Sequence, residues 1–211
     1  MWSMMNLLET SLRIPLIVRP AATRQTADRV IRIYPHPVEA LDLYPTVVSL
    51  AGLPPPPAEW GLSGSDLVPG MASGEVVKPV DAAYSQITRC HNCSLSYQYD
   101  PQNYQQGCRH DTVDARWTVP CAQTPSHLFD WMGMSVRTTQ WRYSLWCQWI
   151  GGSLSANWSR CTKPELYNHT NDTALFDVEN NGEETNLAGT LGVVNVEVMM
   201  RNLLETRFKK L

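Results

Sequence analysis

All six cysteines of this 211-residue chain lie between residues 90 and 161, and this clustering constrains the fold more than any other feature. They are Cys90, Cys93, Cys108, Cys121, Cys147 and Cys161. Four N-x-S/T sequons accompany them, at Asn92, Asn157, Asn168 and Asn171. Because thiols stay reduced in the cytosol and N-glycans are added in the secretory pathway, this combination indicates an oxidising compartment. We therefore expect disulfide bonds, candidate glycans at the sequons, and a lysosomal or secreted location.

The pair Cys90 and Cys93 admits a second interpretation, because C-x2-C is a common pair of zinc ligands and Cys108 and Cys121 follow. The sequon at Asn92 lies inside the pair and argues for disulfides, which form from such cysteines in oxidising compartments. The sequence thus favours disulfides over zinc and leaves their pairing open.

Charge and hydropathy exclude two broad classes of partner. The formal net charge is −3 and the pI is about 5.9, so the chain lacks the basic field that binds nucleic acid. No apolar run reaches the roughly 18 to 20 residues of a membrane-spanning helix. Residues 1–9 also lack the basic and apolar parts of a signal peptide, so we expect a chain with this chemistry to lack its front end. We expect no nucleic-acid partner and no membrane span, and the oligomeric state stays open.

The first third of the chain predicts one strand followed by one helix, the pattern of an α/β layer. Residues 14–18 form a short apolar, β-branched run that is typical of a buried strand. In residues 38–53 apolar side chains recur at helical spacing, with Asp42 as the expected cap and Gly52 as the expected stop. Residues 54–79 are rich in Pro, Gly and Ser and predict a linker or a surface crossover.

The rest of the chain predicts a small antiparallel sheet. Strands are expected at residues 83–88, 132–138 and 141–149, with a short strand around Leu166. The second and third are separated by two residues, which favours a tight hairpin.

Two further segments complete this region. Residues 89–131 carry four cysteines and little periodicity, so we expect a loop held by disulfides. In residues 193–209 apolar side chains recur at spacings of three and four, which predicts an amphipathic helix that packs on the sheet.

Seven short motifs occur in the order in which sulfatases carry them. Their sequences are R-I-P-L-I-V at 13–18, D-L-Y-P-T and L-A-G within 42–52, L-S-G-S-D-L at 62–67, A-Y-S-Q at 83–86, M-G-M-S-V-R-T at 132–138, W-R-Y-S-L-W at 141–146 and E-L-Y-N-H-T-N-D at 165–172. As an ordered set they resemble the C-terminal part of the sulfatase family, and within it the iduronate-2-sulfatases.

The resemblance implies a fold class and two domains. The fold would be an α/β fragment followed by an α+β region. Residues 1–70 would be the last strand and helix of the alkaline-phosphatase-like α/β catalytic domain. Residues 71–211 would be the small C-terminal subdomain, with an antiparallel sheet, the disulfide loop 89–131 and the terminal helix 193–209.

The resemblance also implies that the catalytic groups are absent from this chain. Sulfatases use a formylglycine nucleophile made from the cysteine of a C-x-[PA]-x-R sequence, and none of the six cysteines fits that sequence. The family's calcium ligands would lie upstream of residue 1, so no cofactor is expected here. Met4 stands where the family has its sulfate-binding lysine, and a thioether cannot neutralise sulfate.

Three further groups of residues admit a functional and a structural interpretation. His127 is the nearest basic candidate for substrate binding, although a loop histidine is more often only solvated. Asp111 and Asp114 near His110 suggest acid–base chemistry, but solvated carboxylates are commoner. The tryptophans Trp141, Trp146 and Trp149 could stack on sugars, although filling the interface between sheet and helix is favoured.

Two functions from different classes follow. The first is the C-terminal portion of a sulfuric ester hydrolase that acts, in its complete form, on glycosaminoglycan sulfate esters and is inactive as this chain. A sulfated glycan is then a partner of the complete enzyme only. The second is a non-catalytic, secreted glycoprotein module that binds sulfated glycans or a protein partner.

Overall fold

The computed structural model describes residues 6–19, 32–89, 125–170 and 183–209. The chain forms two compact units. The first consists of residues 1–13, 84–136 and 141–211, and the second of residues 14–83 and 137–140. The domains 1–70 and 71–211, expected from the sequence, stay a prediction.

A five-stranded sheet forms most of the first unit. Its strands are β1 (Ala83–Arg89), β2 (Trp131–Arg137), β3 (Trp141–Ile150), β4 (Ser155–Cys161) and β5 (Glu165–Asn168). The strand order is β1-β2-β3-β4, and β3 also pairs with β5. Both β4 and β5 run antiparallel to β3, with β4 along its last four residues and β5 along its first four.

The sequence predicted four of these strands and missed β4. The hairpin between β2 and β3 is confirmed, with residues 138–140 as its connection instead of two residues. β4 reads S-A-N-W-S-R-C and has no alternation of apolar and polar residues, and its residues are half-buried or exposed. It becomes a strand through its hydrogen bonds with β3, which no local pattern reveals.

A disulfide joins Cys147 to Cys161 across β3 and β4. The two residues are register partners, and their Cα atoms lie 3.9 Å apart. The disulfide prediction is thereby confirmed for this pair, while Cys90, Cys93, Cys108 and Cys121 lie outside the described residues.

Removing this disulfide should lower the free energy of unfolding by about 3 kcal/mol, because the bond closes a loop of roughly 15 residues in the unfolded chain. Urea denaturation of a Cys147→Ala/Cys161→Ala chain measures the loss. Repeating the comparison in reducing agent is the matched control, because both chains then lack this bond and the difference between their midpoints should become small. Equal midpoints of the two chains under oxidising conditions would contradict the prediction.

The terminal helix, α4 (Val194–Phe208), packs on β3 as the sequence predicted. Met200 and Leu204 are its buried residues. Arg201 of α4 interacts with Tyr143, so the odd-numbered side chains of β3 point toward this helix. Within the described residues, no helix is both long and apolar enough to cross a membrane.

The second unit contains α2 (Leu43–Leu50) and α3 (Val68–Ser73). Gly52 ends α2 with a φ of +66°, which glycine adopts without strain, so this stop is confirmed. The linker prediction was incomplete, because α3 lies inside residues 54–79. The six residues of α3 include Pro and Gly, and such a composition predicts a loop more often than a helix.

The strand predicted at residues 14–18 is wrong as a buried strand. The short helix α1 (Glu9–Leu12) precedes these residues, which have no regular structure. Ile14 is 72% exposed and Ile17 is 91% exposed. A strand needs a ladder partner, and no described strand pairs with these residues.

Candidate functional site

Arg142 is a buried cation on the face of β3 opposite α4. Its side chain is 2% exposed. The guanidinium Nη1 donates to the backbone oxygen of Leu7 at 3.0 Å and to Oγ of Ser135 at 3.4 Å. Because β3 residues alternate between faces, the position beside Tyr143 directs Arg142 away from the terminal helix. A buried arginine requires carboxylate partners.

Two glutamates from distant parts of the chain supply these partners. Arg142 donates a hydrogen bond through Nη2 to the Glu9 carboxylate. Its Nε lies 2.6 Å from Oε1 of Glu183, which is also nearly fully buried. Glu183 Oε2 in turn accepts the backbone N–H of Glu9 at 2.7 Å. These contacts therefore hold the first turn of α1 and the loop at Glu183 against the sheet.

His169 completes this group, which we call the Arg142 cluster: Arg142, Glu9, Glu183 and His169. The imidazole follows β5, is fully buried, and its Nε2 lies 3.6 Å from Oε1 of Glu183. Arg13 also lies 3.7 Å from Glu9, at the solvent side. The positive charges of Arg142 and Arg13 thus offset the negative charges of the two glutamates. Buried charges need oppositely charged partners of this kind.

Glu9, His169 and Glu183 are near enough to one another to be considered as ligands of a metal ion, because their ligand atoms lie within 4.8 Å of one another. Arg142 already supplies the positive charge between the two carboxylates. Calcium also prefers six to eight oxygen ligands, and an imidazole offers nitrogen. The Arg142 cluster therefore does not fit calcium.

The hydroxyl groups beside the cluster do not form a nucleophile that a substrate could reach. Ser144 Oγ donates to Ser135 Oγ at 2.9 Å, and both residues are about 1% exposed. Nucleophilic catalysis needs an exposed oxygen next to a base. The chemistry of this site is structural: it holds three segments of the chain together.

Glu165 in β5 lies at the margin of the Arg142 cluster. Burial raises the pKa of its carboxyl group, the charge of Glu183 raises it further, and Arg89 lowers it. Arg89 itself stacks over the ring of Trp146, 4.2 Å from the ring centroid. A pH dependence of stability is therefore expected from the carboxyl group of Glu165.

The free energy of unfolding should include a contribution from Glu165 that disappears as the pH rises. Because the folded-state pKa is raised, the folded chain holds the proton more tightly than the unfolded chain. The contribution is complete below the ordinary carboxyl value of 4.5 and is lost as the pH rises through the folded-state pKa.

Urea denaturation of wild type and Glu165→Gln between acidic and neutral pH tests this expectation. The stability of Glu165→Gln relative to wild type should rise with pH, because the amide cannot ionise. Other titrating groups are shared by both chains and cancel in the difference. A difference that stays constant with pH would contradict the assignment.

A second buried ion pair lies within the second unit. Asp42 is fully buried, and Lys78 Nζ lies 3.4 Å from its Oδ2 and 3.1 Å from Oε2 of Glu39. Asp42 Oδ1 accepts the backbone N–H of Ser65 at 2.8 Å. Its Oδ2 accepts that of Glu39, also at 2.8 Å.

This arrangement corrects the predicted role of Asp42. Its side chain makes no capping bond to α2. It closes a capping box with Glu39 around the preceding 3₁₀ turn, Ala40–Asp42. The Asp42 carboxylate therefore connects three parts of the unit: it accepts hydrogen bonds from the backbone at Glu39 and at Ser65, and it pairs with Lys78.

A third polar group orders the hairpin connection. Asp81 Oδ2 interacts with Nδ1 of His36 at 3.0 Å and accepts a hydrogen bond from Thr139 Oγ1 at 2.9 Å. Tyr34 packs against the His36 ring, with centroids 5.1 Å apart. The carboxylate is shared by a ring nitrogen and a hydroxyl, so it positions both side chains.

The structure does not bring the residues predicted for substrate binding to the Arg142 cluster. His127 is exposed, in a 3₁₀ turn at Ser126–Leu128. The Trp146 ring faces Gly133, where an added Cβ would lie 2.8 Å from it, and Arg89 covers it as well. Trp149 donates its indole N–H to the backbone oxygen of Ser126 at 2.8 Å.

Other predicted positions are divided between described and undescribed residues. Asn157 and Asn168 are described. Met4, Asn92, His110, Asp111, Asp114 and Asn171 lie outside the described residues. The substrate role of His127 and the consequence of Met4 stay predictions.

The sequence signalled half of the Arg142 cluster. Arg142 and His169 lie inside the motifs W-R-Y and E-L-Y-N-H. Glu9 and Glu183 lie outside every motif, and nothing local distinguishes them from solvated glutamates. The signal that could have found them is the charge requirement of an arginine in a strand that is buried on both faces.

Comparisons with known proteins gave matches among solved structures alone. No protein-family model matches the sequence, and no curated protein matches it. The chain is similar to phosphonate monoester hydrolase SpPMH from Silicibacter pomeroyi, with 18% sequence identity, a TM-score of 0.43 and coverage of 82% of this chain and 25% of that one. It is also similar to a putative sulfatase from Bacteroides thetaiotaomicron VPI-5482, with 19% identity, a TM-score of 0.42 and coverage of 78% and 23%.

The chain therefore spans about a quarter of the length of the two solved structures it resembles. With identities below 20% and TM-scores below 0.5, these likenesses leave the function to be argued from the chain's own residues.

Proposed function

We propose that this chain is the C-terminal portion of a sulfuric ester hydrolase of iduronate-2-sulfatase type, which in its complete form hydrolyses sulfate esters of glycosaminoglycans. One observation carries the proposal. Three of the motifs that resemble sulfatases meet in space, because Ser135, Arg142 and His169 all contribute to or contact the Arg142 cluster. Motif residues that interact across the sheet support a shared architecture more strongly than isolated matches.

The apolar surface of the second unit supports the assignment of residues 1–70 to a larger α/β domain. On α2, the side chains of Leu43, Val47 and Leu50 recur along the helix and are exposed. The apolar side chains of Ile14, Leu16 and Ile17 are exposed as well. Groups of exposed apolar side chains often mark a surface that another part of a protein covers.

We further propose that the chain by itself releases no sulfate. The sequence contains no C-x-[PA]-x-R cysteine from which formylglycine could be made. In the complete enzyme, calcium would offset the negative charge of the sulfate group, with ligands outside the described residues. The disulfide between Cys147 and Cys161 supports a lysosomal or secreted location.

The test begins with the coding sequence upstream of the Met1 codon, which should encode C-x-P-x-R in the same frame. That longer protein, purified from a secretory host, should release sulfate from a chromogenic aryl sulfate in the presence of calcium. Replacing the cysteine of that motif by alanine should abolish release and serves as the control. The 211-residue chain should release none in the same assay.

Two outcomes would contradict the proposal. The first is sulfate release by the 211-residue chain that is lost when one of its six cysteines is replaced. The second is an upstream sequence without the motif, combined with salt-resistant retention of the chain on immobilised heparin. That combination would favour the non-catalytic module that binds sulfated glycans.

A further inference from the structure

Asn168 differs from the other described sequon residue, Asn157, in its exposure. Asn168 is the last residue of β5 and is exposed, whereas Asn157 in β4 is half-buried. The residue after Asn157 is Trp158, whose ring lies 5.5 Å below the ammonium group of Lys209. A glycan is bulky and needs solvent on its side of the strand, so the position of Asn168 suits one better.

The side-chain amide of Asn168 is oriented by Thr170, the third residue of its own sequon. Oδ1 accepts the backbone N–H of Thr170 at 2.9 Å and its hydroxyl group at 2.6 Å. These bonds use the amide oxygen alone. The amide nitrogen, which is the atom that carries an N-linked glycan, makes no hydrogen bond within the described part of the chain.

An aromatic side chain lies directly across the strand from this position. Trp141 and Asn168 are register partners on β3 and β5. Cross-strand partners project to the same face of the sheet, with Cβ atoms about 5 Å apart. Trp141 is half-buried. A sugar joined to Asn168 would therefore begin beside an indole, and the C–H groups of a pyranose pack well on aromatic surfaces.

We propose that Asn168 carries an N-linked glycan whose first N-acetylglucosamine packs against Trp141 and stabilises the pairing of β3 with β5. The inference rests on the secretory location that accompanies the proposed function. The glycan adds an apolar contact at the exposed end of β5, where Asn168 follows the buried residues Leu166 and Tyr167.

Occupancy is measured on the full 211-residue chain, secreted from a mammalian host behind a heterologous signal peptide. Glycans are removed enzymatically in ¹⁸O-labelled water, and tandem mass spectrometry then locates each converted asparagine. We expect most molecules to carry the label at Asn168. Thr170→Ala should abolish it there, and Thr170→Ser, which keeps the sequon, should retain it.

The packing on Trp141 is measured by thermal melting of four chains: wild type, Asn168→Gln, Trp141→Ala and the double variant. Loss of the glycan should lower the melting temperature by about 2 to 4 °C in the wild-type background. The same loss should have little effect in the Trp141→Ala background. A wild-type glycan trimmed enzymatically to one sugar should keep the full melting temperature, because the first sugar makes the contact.

The outcomes separate this inference from the proposed function. If other sequons are occupied while Asn168 is not, the inference is wrong and the secretory location stands. If no sequon is occupied and Cys147 and Cys161 are reduced in the natural host, the proposed location fails as well. An equal shift in melting temperature with and without Trp141 would overturn the packing and leave the glycan.

Discussion

Replacing Arg142 by methionine should lower the free energy of unfolding by about 3 to 5 kcal/mol, the usual cost of breaking a buried ion pair by removing one partner. Methionine approximates the length of the arginine stem but leaves the carboxylates of Glu9 and Glu183 without their cation. It also leaves the backbone oxygen of Leu7 without its donor. Urea denaturation followed by tryptophan fluorescence measures the loss.

The matched control is Arg160→Met, because Arg160 is an exposed arginine on the neighbouring strand β4. Surface substitutions of this kind change stability by about 0.5 kcal/mol or less. Adding Glu9→Gln and Glu183→Gln to Arg142→Met should recover part of the loss, since neutral amides need no buried cation. Equal effects of Arg142→Met and Arg160→Met would show that the Arg142 cluster contributes nothing.

Replacing Asp42 by alanine should have an effect of similar size, about 3 to 5 kcal/mol, in the second unit. The change leaves Lys78 buried beside Glu39 alone. It also removes the acceptor of two backbone N–H groups, at Glu39 and Ser65. Each unsatisfied buried donor costs roughly 1 to 3 kcal/mol, so the two effects act in the same direction.

Glu59→Ala is the control for Asp42→Ala, because Glu59 is an exposed carboxylate of the same unit. Hydrogen exchange of the backbone amides at Glu39 and Ser65 gives a local readout, and both should exchange faster in Asp42→Ala. Lys78→Met should reproduce much of the destabilisation while sparing those two amide bonds. Unchanged protection at Glu39 and Ser65 would contradict the assigned role.

The sheet shows which parts of the fold a local pattern can predict. Along β3 the alternation of side chains predicted a strand, and along α4 the spacing of three and four predicted a helix that packs on it. The sequence did not predict β4, because an edge strand can form without an alternation of apolar and polar residues. For residues 14–18 the error was the opposite one. Their apolar character predicted a buried strand, and the described chain neither buries them nor pairs them with a strand.

The candidate site shows the same division. The motifs identified Arg142 and His169 as members of a pattern, but the pattern assigned neither a partner. The two glutamates that define the site became evident only through contacts across the fold. Likewise Asp42 was recognised as a helix-start residue, while its ion pair with Lys78 was not.

The sequence by itself determined the clustering of cysteines and sequons, the hairpin and the terminal helix, because these depend on residues that are near neighbours in the chain. Only the tertiary structure decided that Cys147 pairs with Cys161, and that Arg142 pairs with Glu9, 133 positions away. Burial and electrostatic partnership depend on distance in space, and the linear order of the residues does not contain that distance.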